Sequence, residues 1–239
     1  MHKDLPETRA KARPASRLIV ATLLAASTLC SCAAIAGSYD DALDSARLGD
    51  TRQLTSLLDR GIDPDTVDPQ GNSLLILAAR EGQADTVAAL LKYRARVDYR
   101  NLAGDSALML AVLRGHEAAV RVLLKAGARV EHEGWTPLHY AAFEGRENML
   151  DALFAAGANV NSPAPNKATA LMLAARNGHV GVVRRLLAMP QTDLNALNDV
   201  GLSADAWALQ GKNTEIAELI QAERKRRGLR PPAIKLTIE

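Results

Sequence analysis

The sequence has 239 residues, of which 48% are hydrophobic and only 3% aromatic, and its formal net charge is +2. A core must therefore be built mostly from Ala, Leu and Val, which suits closely packed helices better than a sandwich that needs bulky side chains. The charge is unevenly spread, because residues 1–36 and 223–239 are basic whereas residues 37–222 hold 18 basic and 23 acidic side chains. An acidic body argues against a nucleic-acid-binding domain, which usually has a basic face.

Residues 1–36 have the layout of an export signal. Basic side chains precede an uncharged apolar run over residues 18–29, and Ala34-Ile35-Ala36 follows. A basic region, an apolar region of about 7–15 residues and an A-x-A site are typical of a secretory signal peptide. The run is shorter than the roughly 20 residues of a membrane span, which disfavours an uncut anchor. We predict cleavage before Gly37 and, from the Ala- and Arg-rich composition, the periplasm of a Gram-negative bacterium.

A lipoprotein signal over residues 1–31 is the alternative interpretation of this segment. Leu29-Cys30-Ser31-Cys32 resembles the bacterial lipobox, in which the final cysteine becomes the lipidated first residue. Cys30 is unusual at its position, so Cys32 is a candidate lipidation site beside the A-x-A alternative. Both cysteines of the chain lie here, and the remaining sequence therefore uses no disulfide or cysteine chemistry.

An internal repeat of about 33 residues organises the rest of the chain. Six glycines recur at intervals of 33, 33, 30, 33 and 33 residues, at Gly49, Gly82, Gly115, Gly145, Gly178 and Gly211. An apolar pair follows each glycine by eight or nine residues, and a pair of small or apolar residues precedes each of the four internal glycines. So many positions in register indicate a repeat rather than chance.

Each repeat is predicted to fold as two helices. The small pair, such as Ala78-Ala79, places little bulk on a first helix that can approach its neighbours, and the glycine ends that helix in the left-handed conformation. The second helix carries apolar residues three and four apart, as in Val87, Leu90 and Leu91, and these form one buried stripe. Second glycines close this helix at Gly61, Gly127 and Gly157.

The segments 134–142 and 155–161 resemble the ankyrin-repeat family. Its T-P-L-H signature is complete at Thr136-Pro137-Leu138-His139, and related versions begin at Ser73, Ser106, Thr169 and Ser203. The resemblance implies an all-α solenoid of paired antiparallel helices with short β-hairpin-like loops. It also implies a non-catalytic module that binds a protein partner through its concave face.

The repeats divide the chain as follows. We predict a capping repeat over 39–69, repeats over 70–102, 103–133, 134–166 and 167–200, a C-terminal capping repeat over 201–222, and a basic, disordered tail over 223–239. End repeats need a polar outer face because nothing covers them.

Three departures from the repeat are informative. Three residues are missing between Gly127 and Gly134, which predicts a shortened loop and a notch that Trp135 could fill. Pro190 stands where a closing glycine is expected, so the chain should deviate there. Asp205 replaces a buried leucine, which indicates a C-terminal cap that faces water.

No motif for catalysis, a cofactor or a metal is present in the repeats. His116 and His179 share one position of the repeat and are interpreted as structural. His139 belongs to the signature turn, where it should bond the local backbone. His132 has only the neighbouring Glu131 and Glu133 as further ligands, so we predict a solvated loop there. The loop of Asp63, Asp65 and Asp68 lacks calcium-binding spacing and is also predicted to be solvated.

The predicted partner-binding residues lie at loop tips and before the turn glycines. Arginine and aromatic side chains are the types most enriched at interface hot spots. The candidates are Arg80, Tyr99, Arg100, Arg114, His132, Trp135, Phe143, Lys167 and Arg176. We expect a monomer that binds a protein and no nucleic acid, with membrane contact only through a lipid anchor or the basic tail. A membrane-tethered adaptor and a host-directed effector are the alternatives to a soluble exported scaffold.

Overall fold

The structure is a computed structural model that describes residues 37–232. The predicted signal segment, with its cleavage and lipidation sites, and residues 233–239 of the predicted tail lie outside the described part. The chain divides into two compact units, Met1–Asp40 and Asp41–Glu239. In the first unit, the described residues 37–40 are helical. The second unit contains the predicted repeats.

The second unit is a succession of short α-helices. The first helix, α1, includes residues 41–48. The others are α2 (Thr51–Asp59), α3 (Leu74–Arg80), α4 (Ala84–Lys92), α5 (Ala107–Arg114), α6 (Glu117–Lys125), α7 (Pro137–Glu144), α8 (Glu147–Ala155), α9 (Ala170–Asn177), α10 (Val180–Leu187), α11 (Ala204–Gln210) and α12 (Thr214–Arg226).

The helices pack as two rows. The first helices of successive repeats form the row α3, α5, α7, α9 and α11, and each packs against the second helix of its own repeat. The loops from a second helix to the next first helix, which we call fingers 1 to 5, cover residues 60–73, 93–106, 126–136, 156–169 and 188–203. Fingers 1 and 2 contain isolated antiparallel bridges at Val67–Ser73 and Arg100–Ser106. The predicted all-α solenoid with hairpin-like loops is confirmed.

Side-chain caps and glycines set the ends of the first helices. The hydroxyls of Ser73, Ser106, Thr136 and Thr169 accept a hydrogen bond from the amide three residues later, which satisfies an amide that has no partner inside the helix. Gly115 ends α5 in the left-handed conformation with φ of 84°. The small residues of the first helices are fully buried, and the row can pack closely for that reason.

Gly211 departs from this pattern. Its φ is −76°, and the left-handed residue is instead Lys212 at 61°. A Cβ atom at Gly211 would lie 2.2 Å from the carbonyl oxygen of Arg176. Glycine is therefore required here for close approach to the preceding repeat rather than for a left-handed turn.

The prediction that Asp205 faces water is wrong. Asp205 is buried, and its carboxylate accepts hydrogen bonds from Arg224 at 2.7 and 2.9 Å and from the hydroxyl of Ser203 at 2.7 Å. Arg224 is only 2% exposed. The reason is that α12 extends to Arg226, past the predicted cap boundary at residue 222, and brings this arginine over the last repeat.

The predicted deviation at Pro190 is present and is stabilised by a second arginine. α10 ends at Leu187 with no left-handed residue after it in finger 5 until Gly201. The guanidinium of Arg227 donates to the carbonyl oxygens of Leu187, Met189, Pro190 and Thr192 at 2.6, 3.1, 3.0 and 3.0 Å. An arginine thus binds the carbonyls that a glycine turn would otherwise satisfy within the backbone.

Candidate partner-binding site

One position of the repeat forms a column of exposed and half-buried side chains along the row of first helices, which we call the exposed column. It lies two residues before each turn glycine and contains Arg47, Arg80, Leu113, Phe143, Arg176 and Leu209. Phe143 is 44% exposed, although the two residues before it in the helix, Ala141 and Ala142, are buried. Along the column, Leu113 and Phe143 lie between arginines on both sides, and Leu209 follows Arg176 at the C-terminal end. Arg114 stands one position later than the column, beside Leu113.

The arginines of this column are held by neighbours. The Nε of Arg80 donates to Glu81 at 2.9 Å. The guanidinium of Arg176 lies over the ring of Trp207, 5.0 Å from its centroid, a favourable cation–π arrangement. The side chains of Arg114 and Lys167 are exposed, and neither side chain forms a hydrogen bond or ion pair with another described residue. These two cations are therefore available to a partner without losing an internal contact.

Aromatic side chains cluster on the third full repeat. Trp135 is half-buried, with its ring 6.2 Å from that of Tyr140 and edge-on to His139 at 5.8 Å. The hydroxyl of Tyr140 donates to Asp105 at 2.6 Å. Burial and the neighbouring Asp105 carboxylate raise the pKa of Tyr140. With Phe143, these rings give the repeat an aromatic surface.

Two predicted tip residues belong to finger 2, and they differ in position. Tyr99 packs against the core, half-buried, with the guanidinium of Arg96 4.8 Å above its ring. Arg100 is exposed, bonds the carbonyl of Gly104, and reaches the carbonyl of Glu133 in finger 3 at 3.4 Å. Of the two, Arg100 is therefore the residue placed to meet a partner.

The structure adds exposed apolar residues to the charged and aromatic candidates that were predicted from the sequence. Leu102 at the tip of finger 2 is 83% exposed. It lines a groove between fingers 1 and 2 whose other walls include Gln70, Arg80 and Leu110. Leu113 and Leu209 complete the exposed column. In the sequence, these two leucines are recognisable because they occupy the same position of the repeat as Arg80 and Phe143.

Three histidines are structural, as predicted. Nε2 of His116 lies 3.0 Å from the carbonyl oxygen of Arg80, and Nε2 of His179 lies 2.8 Å from that of Phe143, each in the preceding repeat. Nδ1 of His139 accepts the amide hydrogen of Thr136 at 3.0 Å, so Nε2 carries the proton that it donates to Ser162 at 2.8 Å. Burial lowers the pKa of His139.

The acidic loop and His132 differ from the solvated loops predicted. Asp68 is buried, and its carboxylate accepts hydrogen bonds from the amides of Gln70 and Asn72 and from the Asn72 side chain. His132 is half-buried, with Nδ1 3.1 Å from the carbonyl of Glu133 and a buried, unbonded Nε2. Within residues 37–232, no three His, Cys, Asp or Glu side chains are grouped as a metal site requires.

The basic residues at the end of α12 are mostly engaged within the protein. Besides the contacts of Arg224 and Arg227 described above, the carboxylate of Glu223 accepts hydrogen bonds from Arg226 and Arg227. These arginines hold the pKa of Glu223 at about 2. Lys225 alone in this cluster has no such contact among the described residues. Across the same part of the chain, no helix is both long and apolar enough to cross a bilayer.

Comparison with known proteins identifies the repeat. The sequence matches the family described as "Ankyrin repeats (3 copies)" over residues 43–133, 100–164 and 153–227. Such repeats are generally protein–protein interaction modules and are typically non-catalytic.

Individual relatives are similar over a limited part of their length. Rabankyrin-5 of Mus musculus is 35% identical over 88 residues, which are 37% of this chain and 8% of that protein. Transient receptor potential cation channel subfamily A member 1 of Homo sapiens is 28% identical over 172 residues, 68% of this chain and 15% of the channel subunit. The calmodulin-binding transcription activator CBT of Oryza sativa subsp. japonica is 45% identical over 62 residues, 23% of this chain and 7% of that protein. The chain thus matches only a small part of each relative's length.

Proposed function

The chain belongs to the ankyrin-repeat family, and on that premise we propose that it is an exported, monomeric, non-catalytic scaffold that binds a protein partner through its concave face. The observation that carries this proposal is the exposed column of the first helices. Leu113, partly exposed, and Phe143, exposed, are apolar side chains between Arg80 and Arg176, and the exposed Leu209 follows Arg176. Apolar and aromatic anchors next to arginines are the composition of interface hot spots.

Site-specific photo-crosslinking tests the binding face. A benzophenone amino acid replaces Phe143 in one variant and Ala118, exposed on the opposite helix row in α6, in the other. We expect discrete crosslinked protein adducts from position 143 and none above background from position 118. Equal adducts from both positions, or none from position 143, would contradict binding through the concave face.

Export is the second part of the proposal. The basic, apolar and A-x-A regions of residues 1–36 support a periplasmic location in a Gram-negative bacterium. The lipobox-like sequence ending at Cys32 supports a membrane-tethered adaptor as the alternative. Mass spectrometry of the mature N-terminus distinguishes them, because a free Gly37 means a soluble protein and an acylated Cys32 means a tether. An intact Met1 would argue against both.

A further inference from the structure

Finger 3 differs from the other fingers in its hydrogen bonding. In fingers 1 and 2 one side chain supports the next repeat. A carboxylate oxygen of Asp65 accepts the amide hydrogen of Arg96, and one of Asp98 accepts that of Arg129, both at 2.8 Å. These bonds tie each finger to its successor.

A second side chain, three residues later, closes the turn of its own finger. Asp68 accepts the amide hydrogens of Gln70 and Asn72 at 3.0 and 2.8 Å. The side-chain oxygen of Asn101 accepts those of Ala103 and Asp105, also at 3.0 and 2.8 Å. A short polar side chain that bonds its own backbone two residues on is a common way to order a turn.

Because three residues are missing from finger 3, Glu131 corresponds both to the side chain that supports the next repeat and to the side chain that closes the turn. Counted from Gly127 this residue corresponds to Asp98, and counted from Gly134 it corresponds to Asn101. Its carboxylate performs the first role, because it accepts the Asn159 amide hydrogen at 2.8 Å and the Ser162 hydroxyl hydrogen at 2.5 Å. The second role is left unfilled, and the backbone amides of residues 130–135 form no hydrogen bond with any other described group.

Bonds between finger tips are also interrupted at finger 3. The amide of Leu102 donates to the carbonyl of Gln70 at 3.2 Å, and at the other end of the row Asp199 donates to Asn166 at 3.0 Å. Among the described residues, no such bond joins finger 3 to either neighbour. On finger 4 the donor position is Pro165, which has no amide hydrogen. Finger 3 therefore has free backbone groups on both sides.

One exposed arginine contacts finger 3, and further cations and apolar side chains are exposed on the same and adjacent repeats. The arginine is Arg100, which reaches the carbonyl of Glu133. Arg114 and Lys167 are exposed and unpaired among the described residues, and Leu102 and Phe143 supply exposed apolar surface. The carboxylates of Asp98, Asp105 and Glu131 are bonded to Arg129, Tyr140 and Ser162, which leaves Glu133 and Glu144 as the exposed acidic side chains of residues 98–144 near the finger and α7. Finger 3 and these side chains thus offer amide donors and cations to a ligand that carries acceptors and negative charge.

We propose that finger 3, residues 130–135, is the docking position of an extended, acidic peptide segment of the protein partner. The free amides donate to the carbonyl oxygens of the segment, as in strand addition to an open edge. Arg100 and Arg114 pair with its carboxylates, and its apolar residues contact Leu102 and Phe143. This inference rests on the proposed function and names the chemistry of the partner.

Selection from a peptide library tests the inference. A phage-displayed library of random twelve-residue peptides is selected on the full chain, and the strongest sequence is synthesised for titration. We expect the selected peptides to be enriched in Asp and Glu over the starting library. Arg100→Glu should weaken the dissociation constant at least about tenfold, since hydrogen bonds to charged groups contribute more than the 1.4 kcal/mol of one decade. Arg121→Glu, 68% exposed on α6, is the matched control and should change little.

A lengthened finger gives an independent test. Insertion of Tyr-Arg-Asn after Glu131, with Pro165→Leu, restores the register of finger 2 and lets the free backbone groups pair with neighbouring fingers. Circular dichroism should show an intact fold, and peptide binding should be lost. Peptides without acidic enrichment, no selected peptide at all, or unchanged affinity in both Arg100→Glu and the lengthened finger would overturn the inference. If Phe143→Ser weakens the peptide while those two variants do not, binding through the concave face stands and docking at finger 3 fails.

Discussion

The repeat pattern is altered in finger 3 and at the C-terminal cap. The polar groups that lose their usual partners are bonded within the protein at the cap but not in finger 3. Asp205 in the cap and Pro190 in finger 5 just before it break the pattern, but Arg224 and Arg227 at the end of α12 supply hydrogen bonds to the groups left without partners. In finger 3, three residues are missing, and the free amides of residues 130–135 receive no internal substitute. Both alterations occur in one solenoid that otherwise repeats regularly.

The difference indicates what each region does. A buried charge needs a partner inside the protein, because the cost of leaving it alone is several kcal/mol. Exposed amides can bond water, so a finger at the surface can keep free donors at little cost to stability. The cap therefore serves stability, and finger 3 is free to serve binding.

The largest expected effect is the loss of the buried arginine. Arg224→Met leaves the Asp205 carboxylate buried without a counter-ion, and we expect the free energy of unfolding to fall by about 3–5 kcal/mol. Urea denaturation followed by circular dichroism measures it. Lys225→Met, at the adjacent exposed position, should change stability by less than about 0.5 kcal/mol. The double variant Asp205→Leu with Arg224→Met should recover most of the loss, and equal instability of single and double variants would refute the ion-pair explanation.

Removal of the second arginine should have a smaller effect. Arg227→Ala removes the guanidinium donor from four carbonyl oxygens at and after the end of α10, of which that of Met189 keeps the amide hydrogen of Thr192. Hydrogen bonds to charged groups contribute roughly 1.5–3 kcal/mol each, and exposure to water reduces this. Since Arg227 is half-buried, we expect a total loss of about 2 kcal/mol. Amide hydrogen exchange should accelerate in residues 188–193 and not in finger 1. Unchanged exchange after the substitution would show that Pro190 alone holds this turn.

Substitution of Gly82, in a regular repeat, and of Gly134, in finger 3, compares how tightly the fold is packed at the two places. Both glycines are left-handed, so alanine at either costs about 1 kcal/mol of strain. A Cβ atom at Gly82 would also lie 2.5 Å from the His116 ring, whereas nothing lies within 4 Å at Gly134. We therefore expect Gly82→Ala to lower the midpoint of thermal unfolding more than Gly134→Ala does. The reverse order would mean that finger 3 is more tightly packed than its contacts indicate.

Acid should weaken α7, which follows finger 3, and the C-terminal cap in different pH windows. Burial lowers the pKa of His139, so the folded protein binds fewer protons than the unfolded chain, and stability falls as pH drops below the unfolded value of about 6.5. Burial by itself would raise the pKa of Asp205, but the hydrogen bonds from Arg224, Ser203 and Gln221 together with the charge of Arg224 lower it to about 2. Its contribution is present above the unfolded value of about 3.9 and is lost as pH falls through about 2.

Thermal unfolding midpoints between pH 8 and pH 2 measure these windows. His139→Gln should reduce the slope between neutral pH and pH 5 without affecting the region below pH 4. The Asp205→Leu, Arg224→Met pair should do the opposite. A single window shared by all variants would show that neither group dominates the acid response.

Much of the architecture could be predicted from the sequence, because the helix ends of each repeat are set by residues close together in the chain. The glycine spacing placed every first-helix end, and the signature at Thr136–His139 predicted the bonds that cap α7. The position of the shortened finger was also predicted, because three residues are missing between Gly127 and Gly134 relative to the other repeats. The candidate site was predicted in part, because Arg80, Phe143 and Arg176 stand in the exposed column whereas Tyr99 packs against the core.

The remainder depended on contacts between residues far apart in sequence. Local reasoning placed Asp205 in water because its partner, Arg224, lies 19 residues away beyond the predicted cap. Arg227 donates to carbonyl oxygens up to 40 residues earlier, and the periodic pattern of the repeat does not predict such a bond.

For this protein the sequence by itself determined the repeat, its helix pairs and the location of the missing residues, because these follow from spacing and from the backbone preferences of glycine and of capping side chains. Only the tertiary structure decided which polar groups find partners. Burial turns a carboxylate into a group that needs a counter-ion, and whether one arrives depends on neighbouring repeats. That is why the same kind of irregularity is closed at the C-terminal cap and open at finger 3.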